Sequence, residues 1–162
     1  MQNTVTSKNI LPLLQEISSY LQQLLDALHS EHAALSKNDL KAVQSISEEK
    51  ILLMEHLEDL NKERRTLLEN AGLDITSTGI GDFLQNSKSP RAPLIKSLWK
   101  EISNLSNQCD KQNNINGIVI ESNKRHTENA LSILQGKQQN TELYSKKGES
   151  IKASHNQTLL RA

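Results

Sequence analysis

Apolar residues recur at alternating steps of four and three positions along three long stretches of this chain, and that spacing places them on one face of an α-helix. The first stretch begins at Ile10, the second at Leu40, and the third extends from Leu94 to Leu134. The third contains no proline and a single glycine, Gly117. The pattern predicts an all-α fold, an elongated antiparallel three-helix bundle or coiled coil with helices at about 9–36, 40–70 and 94–135.

The connection between the first two predicted helices is short and follows Ser36. Asn38 or Asp39 is expected to cap the second helix, because such side chains accept hydrogen bonds from the free N–H groups of a first helical turn. Two helices joined this tightly run antiparallel and form a helical hairpin. Residues 1–9 are polar and are expected to fray, which places Pro12 in the first turn of the first helix, where its missing N–H costs nothing.

Charged residues interrupt the apolar stripes of the hairpin: Glu31 on the first helix, and Lys50 and Arg64 on the second. Glu31 lies seven residues before Asn38 and Lys50 lies twelve residues after it. This is close enough for a long lysine side chain to bridge, so we predict an ion pair between them inside or beside the helix seam. Two roles remain open. The charged groups reach solvent at the ends of their apolar stems, or the pair fixes the register of the two helices.

The third predicted helix has an apolar face at both ends and an amide-rich face in the middle, where Gln112, Asn116 and Asn123 fall. At about 1.5 Å per residue it is roughly 63 Å long, too long to be stable alone with so few hydrophobic anchors. It therefore needs a companion along much of its length, which the hairpin supplies. Because it is some ten residues longer than either hairpin helix, its far end is expected to extend beyond them.

Three glycines and two prolines break the helical period over residues 71–93, which are expected to form a long loop. Residues 136–162 contain too few apolar side chains to offset the entropy lost on ordering, so they are expected to be a flexible tail, disordered or only nascently helical. The chain thus divides into a helical bundle domain at 1–135 and a flexible tail at 136–162.

Composition narrows the class of protein. Hydrophobic residues make up 35% and aromatic residues 2% of the 162 residues, and the net charge is zero, whereas globular domains are about 45–50% apolar. Leucine and isoleucine must supply most of the burial, which suits a thin bundle. No basic stripe interleaved with aromatic residues exists, which argues against nucleic-acid binding. No apolar run of about 18 residues exists, so we expect no stable membrane insertion.

The sequence offers little for catalysis or metal binding. His29 and His32 have a spacing that suits two metal ligands, but no second histidine pair completes a site. Cys109 and His126 lie roughly 25 Å apart on one helix, too far for a nucleophile and its base. We therefore expect no enzyme activity, no cofactor and no metal. The lone cysteine excludes an intrachain disulfide and favours a reducing cytosol.

An elongated scaffold with an incomplete apolar stripe is typical of a protein that accepts another helix. Grooves between long helices bind amphipathic partners through anchors spaced three and four residues apart. Amide side chains on the third helix, such as Asn113, Asn114 and Asn116, are suited to polar groups of such a partner. For any single asparagine, however, the favoured explanation is an ordinary solvent-facing residue of modest helix propensity.

Three blocks follow one another in the later half of the chain: an amide-rich block with a glycine, an Ala-Leu block ending in glycine, and a block around a tyrosine. They are residues 113–119, 127–136 and 143–148. Together with Asn38-Asp39-Leu40, Lys50 and Arg64-Arg65 in the first half, their order and spacing resemble the FlgN family of flagellar type III export chaperones. The resemblance covers most of residues 10–148.

The resemblance implies a cytosolic chaperone without ATPase activity. It would bind the C-terminal helical segments of hook-filament junction proteins (hook-associated proteins one and three), prevent their premature assembly and deliver them to the export apparatus. The family's C-terminal region is where client binding is expected to centre. The candidate client-binding residues are Asn113, Asn114, Asn116, Gly117, Val119, Ala130, Leu131 and Leu134.

The resemblance also implies that the tail docks on the cytosolic domain of the export gate. Tyr144 and Gly148 match the closing Tyr-x-x-x-Gly of the family and are the candidate docking residues. Family tails often carry an acidic residue after the tyrosine, whereas Ser145 stands there in this chain. The alternative to a chaperone is a generic cytosolic coiled-coil adaptor or a homo-oligomeric scaffold, in which the exposed stripe of the third helix pairs with a second copy.

Overall fold

In the computed structural model of the chain, the structure describes residues 2–70, 90–135, 143–144 and 150–151, with side chains for 10–70 and 90–135. Its elements are α1 (Gln2–Ser36), α2 (Leu40–Asn70), α3 (Ala92–Leu134), β1 (Leu143–Tyr144) and β2 (Ser150–Ile151). The prediction of a three-helix architecture is confirmed. Nearly all of the predicted loop at 71–93 lies outside the described residues. The chain forms two units, residues 1–120 and residues 121–162.

The first helix begins seven residues earlier than the sequence pattern indicates, at Gln2 instead of residue 9. Residues 2–9 contain neither proline nor glycine, so nothing stops the helix from propagating backwards from its apolar part. Pro12 consequently lies inside α1 and not in its first turn. The expected absence of any cost at Pro12 is therefore wrong, because an internal proline cannot donate to the carbonyl four residues before it.

The hairpin connection is built from two consecutive caps. Asn38 has a φ of 54°, in the left-handed region that asparagine tolerates better than most residues. The N–H of Asp39 donates to the Ala34 carbonyl at 3.0 Å, and the N–H of Asn38 donates to the Leu35 carbonyl at 3.2 Å. These two hydrogen bonds are those of a Schellman C-cap. The Asp39 carboxylate then accepts from the N–H of Ala42 at 3.0 Å and caps α2. The end of α1 and both ends of α2 are where the sequence predicts them.

Side-chain contacts in the first unit give the direction of each helix. The rings of Tyr20 and His56 stack at 5.2 Å between centroids. Glu31, which comes after Tyr20 in α1, contacts Lys50, which comes before His56 in α2. The two helices are therefore antiparallel. The Ser18 hydroxyl donates to Glu101 at 3.0 Å. Farther along both helices α1 meets α3 again at residues 28 and 116, so these two helices run parallel.

The core of the first unit consists of two clusters of aliphatic side chains. The larger one joins all three helices around Leu14, Leu68 and Ile95, each at most 1% exposed. The smaller one joins α1 and α3 alone through Leu25, Leu28, Leu105 and Cys109. Ile95 lies outside the predicted stripe of α3, because α3 starts at Ala92 and its first turn already packs on the hairpin.

Burial along α2 is less complete than the predicted stripe. Leu53, Leu57 and Leu68 are buried, whereas Leu40, Ile51 and Met54 are 78%, 57% and 58% exposed. Since a leucine at the first position of a helix has no preceding turn to pack against, Leu40 stays in solvent.

The second unit contains the end of α3, from residue 121, and an antiparallel pairing of β1 with β2 in which Leu143 faces Ile151 and Tyr144 faces Ser150 in register. At these four tail positions the backbone is extended, not nascently helical.

Candidate functional site

A buried polar network ties the three helices together. The Lys50 ammonium donates to both carboxylate oxygens of Glu31 at 2.9 and 2.8 Å. The side chains are 17% and 5% exposed respectively, so the predicted ion pair is present within the seam. Neither group extends freely into solvent, which excludes the reading in which both charges are solvated.

Asn116 on α3 completes this network. Its amide nitrogen donates to the Leu28 carbonyl at 2.8 Å and to Glu31 at 2.9 Å. Its amide oxygen accepts from Gln112 at 3.0 Å and lies 3.2 Å from the Nδ1 atom of His32. Asn116 is 1% exposed and its polar atoms are engaged within the chain. The expectation that it binds a client is therefore wrong: it supplies a buried connection between helices, as polar groups in a core must.

The other predicted residues in this part of α3 are accessible. Asn113, Asn114 and Gly117 are exposed, and Val119 is half-buried. Asn114 and Gly117 are three residues apart and therefore lie on one side of the helix, away from Asn116. The structure brings these positions together on a surface, but it contains no partner that would test whether they bind one.

Two isoleucines that sequence reasoning did not single out extend this surface. Ile115 and Ile118 are 45% and 69% exposed, and with Val119 they follow the spacing of three and four that places side chains on one helix face. We call Asn114, Ile115, Gly117, Ile118 and Val119 the α3 outer face. In the sequence, the α3 outer face is indicated by a second set of apolar residues that lies off the predicted apolar face of the third helix.

Gly117 is unusual because nothing in the described part of the chain requires a glycine there. A Cβ built on Gly117 meets nothing within 4 Å, although glycine inside a helix costs roughly 1 kcal/mol relative to alanine. Neither internal packing nor a positive φ at this helical position requires the missing side chain. Glycine is also used where another backbone must approach closely, so the position is suited to a contact with a partner.

The later client-binding candidates lie in the second unit, on the last turns of α3. Ala130 is exposed, and Leu131 and Leu134 are 50% and 82% exposed. Ile133 beside them is 75% exposed. These side chains form an apolar helix end. Of the predicted gate-docking residues, Tyr144 belongs to β1, where only the backbone is described, and Gly148 lies outside the described residues.

The described side chains form no metal-binding or nucleophilic site. No group of three histidine, cysteine or carboxylate side chains that could hold a metal occurs among residues 10–70 and 90–135. Cys109 is 6% exposed and its thiol donates to the Leu21 carbonyl at 3.5 Å. Burial raises the pKa of this thiol, and the neighbouring Asp110 raises it further. Within the part of the chain that is described, none of the helices has the length and apolarity to cross a bilayer.

Comparison with known proteins gives one match. The sequence profile of the family described as "FlgN protein" matches residues 1–150 of the chain. No curated protein and no solved structure matches it. The matched region includes all three helices and both strand segments apart from Ile151. It also contains the amide-rich block, the Ala-Leu block and the tyrosine block that carry the resemblance. This chain therefore belongs to the FlgN family of flagellar export chaperones.

Proposed function

We propose that this chain is a cytosolic export chaperone that binds the C-terminal helical segments of flagellar hook-filament junction proteins, prevents their premature assembly and delivers them to the export apparatus. The family supports the coarser part of this proposal, since FlgN chaperones serve flagellar export and bind hook-associated proteins. The surface chemistry of α3 supports the finer part, and no catalytic step is involved.

The observation that carries the proposal is Gly117 on the α3 outer face. A glycine with open space around it, beside exposed Ile115 and Ile118, gives a partner helix both apolar contacts and close access to the backbone. The amides of Asn113 and Asn114 are exposed next to it and can satisfy polar groups at the rim of the contact. An amphipathic helix with anchors three and four residues apart complements this arrangement.

The apolar end of α3 supplies a second group of contacts. Ala130, Leu131 and Leu134 are exposed there, and clusters of exposed leucine and isoleucine mark interaction sites on soluble proteins. We assign residues 136–162 to the same client contact.

For docking on the cytosolic domain of the export gate we propose Tyr144 and Gly148. A tyrosine offers both an apolar ring and a hydroxyl to a partner surface. Replacement of Tyr144 by alanine should leave client binding unchanged and impair export, measured as secreted junction protein. Loss of both activities would show that the two contacts are not separable.

Isothermal titration of the purified chain with purified hook-associated junction proteins tests the main proposal. We expect saturable binding to at least one of them, and none to a junction protein that lacks its C-terminal helix. Light scattering of the chain alone addresses the alternative of a homo-oligomeric scaffold. A tight dimer that dissociates neither on dilution nor on addition of client would favour the scaffold and oppose the chaperone.

A further inference from the structure

A groove in the first unit is separate from the α3 outer face. It has a volume of about 780 Å³ and is lined by Leu24 of α1 and by Ile51, Met54, Leu57, Asn61 and Arg64 of α2, among others. A second pocket of about 230 Å³ adjoins it, shares Leu57, Asn61 and Arg64, and is closed by Trp99 and Ile102 of α3. We call the two together the α2 groove.

The α2 groove contains an apolar strip made by Leu24, Ile51, Met54 and Leu57, with charged residues and Asn61 along the rest of its lining. Leu57 is buried in its floor at 8% exposure, while Ile51 and Met54 form its wall at 57% and 58% exposure. Two large hydrophobic side chains three residues apart are spaced as anchors for a helix lying alongside α2. Methionine adds a flexible side chain that adapts to different apolar partners.

One end of the groove carries a cation that has one unpaired donor atom. The Arg64 guanidinium lies 5.1 Å above the Trp99 ring, and its Nε atom is buried without any hydrogen-bond acceptor. No carboxylate pairs with Arg64 or Arg65 among the described side chains, since the nearby Glu58 pairs with Lys62 at 3.4 Å. Burial lowers the pKa of Arg64, and the charge of Arg65 lowers it further. A buried donor of this kind is costly when left unpaired.

From this geometry we infer that the α2 groove binds an amphipathic helix of the client protein, whose apolar face packs on Ile51, Met54 and Leu57 and whose carboxylate pairs with Arg64. A carboxylate at this end can pair with the part of the Arg64 guanidinium that lines the groove, and guanidinium–carboxylate pairs are strong and directional. Glu55 and Glu58 also line the groove, and they would repel a carboxylate placed elsewhere. The acidic residue of the partner therefore sits at the Arg64 end.

This inference rests on the proposed chaperone function and adds a second client contact to it. The α3 outer face takes one helical segment and the α2 groove takes another, so each site contributes part of the total affinity. Because two linked contacts reinforce each other, loss of either one weakens binding by more than its own area suggests.

A matched pair of substitutions tests the groove. Met54→Glu places a charge in the groove, while Leu52→Glu places the same charge on α2 at a position that does not line it. The two positions are equally exposed, at 58% and 59%, so their effects on folding should be alike, which thermal unfolding followed by circular dichroism verifies. In titrations with purified junction protein we expect Met54→Glu to weaken binding at least about tenfold and Leu52→Glu less than about twofold. Equal effects of the two would overturn the inference.

The charge contact has its own test. Arg64→Met keeps an apolar stem over Trp99 but removes the cation, and Lys41→Met removes a cation from an exposed position outside the groove. We expect Arg64→Met to weaken binding about tenfold and to reduce its dependence on salt, with Lys41→Met unchanged. An affinity unaffected by Arg64→Met would exclude the carboxylate pair.

A client-independent probe separates this inference from the chaperone proposal. Two designed helical peptides of about 18 residues, with leucines spaced three and four apart on one face, differ only in a Glu or a Lys at one end of that face. Fluorescence anisotropy should show the Glu peptide binding at least about tenfold more tightly than the Lys peptide, with Met54→Glu abolishing the difference. If no junction protein binds the chain, the chaperone proposal fails and the peptides still decide the groove. Equal affinities of the Glu and Lys peptides would overturn the inference that the α2 groove binds a client helix. A wild-type dimer that Met54→Glu dissociates would also overturn it.

Discussion

The side-chain amide of Asn116 donates a 2.9 Å hydrogen bond to the carboxylate of Glu31, although 85 positions separate the two residues in the chain. The same carboxylate accepts from Lys50. One residue from each helix thus meets in a buried cluster, and each polar group there has a partner. Because an incorrect register of any helix would leave a charge or an amide unpaired in the core, the cluster favours a single arrangement of the bundle.

Replacement of Asn116 by alanine should therefore lower the free energy of unfolding by about 2 kcal/mol, because the Glu31 carboxylate and the Leu28 carbonyl lose a buried donor. Urea unfolding followed by circular dichroism measures the change. Asn113→Ala is the matched control, since Asn113 is exposed on the same helix, and it should alter stability by less than about 0.7 kcal/mol. Similar effects of both substitutions would contradict the structural role assigned to Asn116.

Replacement of Lys50 by methionine should lower the free energy of unfolding by about 2 kcal/mol, below the usual cost of breaking a buried pair because the Lys50 side chain keeps 17% exposure. The loss arises from the uncompensated Glu31 charge. The double variant Glu31→Met with Lys50→Met should recover part of this stability, which a double-mutant cycle in urea quantifies. An unchanged Lys50→Met variant would mean that water, not Lys50, stabilises the carboxylate.

The sequence was sufficient for those parts of the fold that local chemistry determines. Asp39 caps the start of α2, and α2 spans Leu40–Asn70 as predicted. The start of α1 was missed because residues 2–9 contain neither an apolar stripe that favours a helix nor a proline or glycine that would end one. Whether a helix extends into such polar sequence depends on the stability of the turns that follow. Periodicity alone cannot locate such an end.

The role of each polar residue on α3 required the positions of the other helices. Gln112, Asn116 and Asn123 share one face, and nothing local distinguishes a buried amide from one that awaits a partner. Burial of Asn116 depends on its alignment with Glu31 across a long and unpatterned connection, which sequence periodicity does not determine. The α2 groove escaped prediction for the same reason, since periodicity does not reveal that Ile51 and Met54 remain exposed.

The Cys109 thiol should react slowly with Ellman's reagent in the native protein. Its raised pKa leaves less thiolate at pH 8 than an ordinary cysteine has, and its burial blocks access. A cysteine introduced by Met54→Cys, at an exposed position, is the internal comparison. We expect Cys109 to react on the order of a hundredfold more slowly, with the difference removed in urea. Equal native rates would show that the α1–α3 contact around Leu21 opens readily.

Deletion of residues 136–162 should leave the helices folded and weaken client binding at least tenfold, equivalent to about 1.4 kcal/mol. Among the described side chains, the core clusters lie within residues 10–109, so we expect them to survive the deletion. Circular dichroism checks the helices, and titration with a junction protein measures the affinity. An unchanged dissociation constant would remove the tail from the client contact.

Replacement of Gly117 by alanine should have opposite effects on stability and on binding. The added methyl group meets no atom of the chain, and alanine is the better helix former, so the free energy of unfolding should rise by roughly 0.5–1 kcal/mol. A partner backbone close to Gly117 would collide with that methyl group, and client affinity should fall about tenfold. Asn104→Ala is the matched control, because Asn104 is exposed on α3 outside the outer face: it also improves helix propensity and should leave affinity unchanged. If Gly117 is merely tolerated, Gly117→Ala should make the protein more stable without weakening client binding. Stronger or unaltered client binding by Gly117→Ala would therefore remove the main support for the α3 outer face as a binding surface.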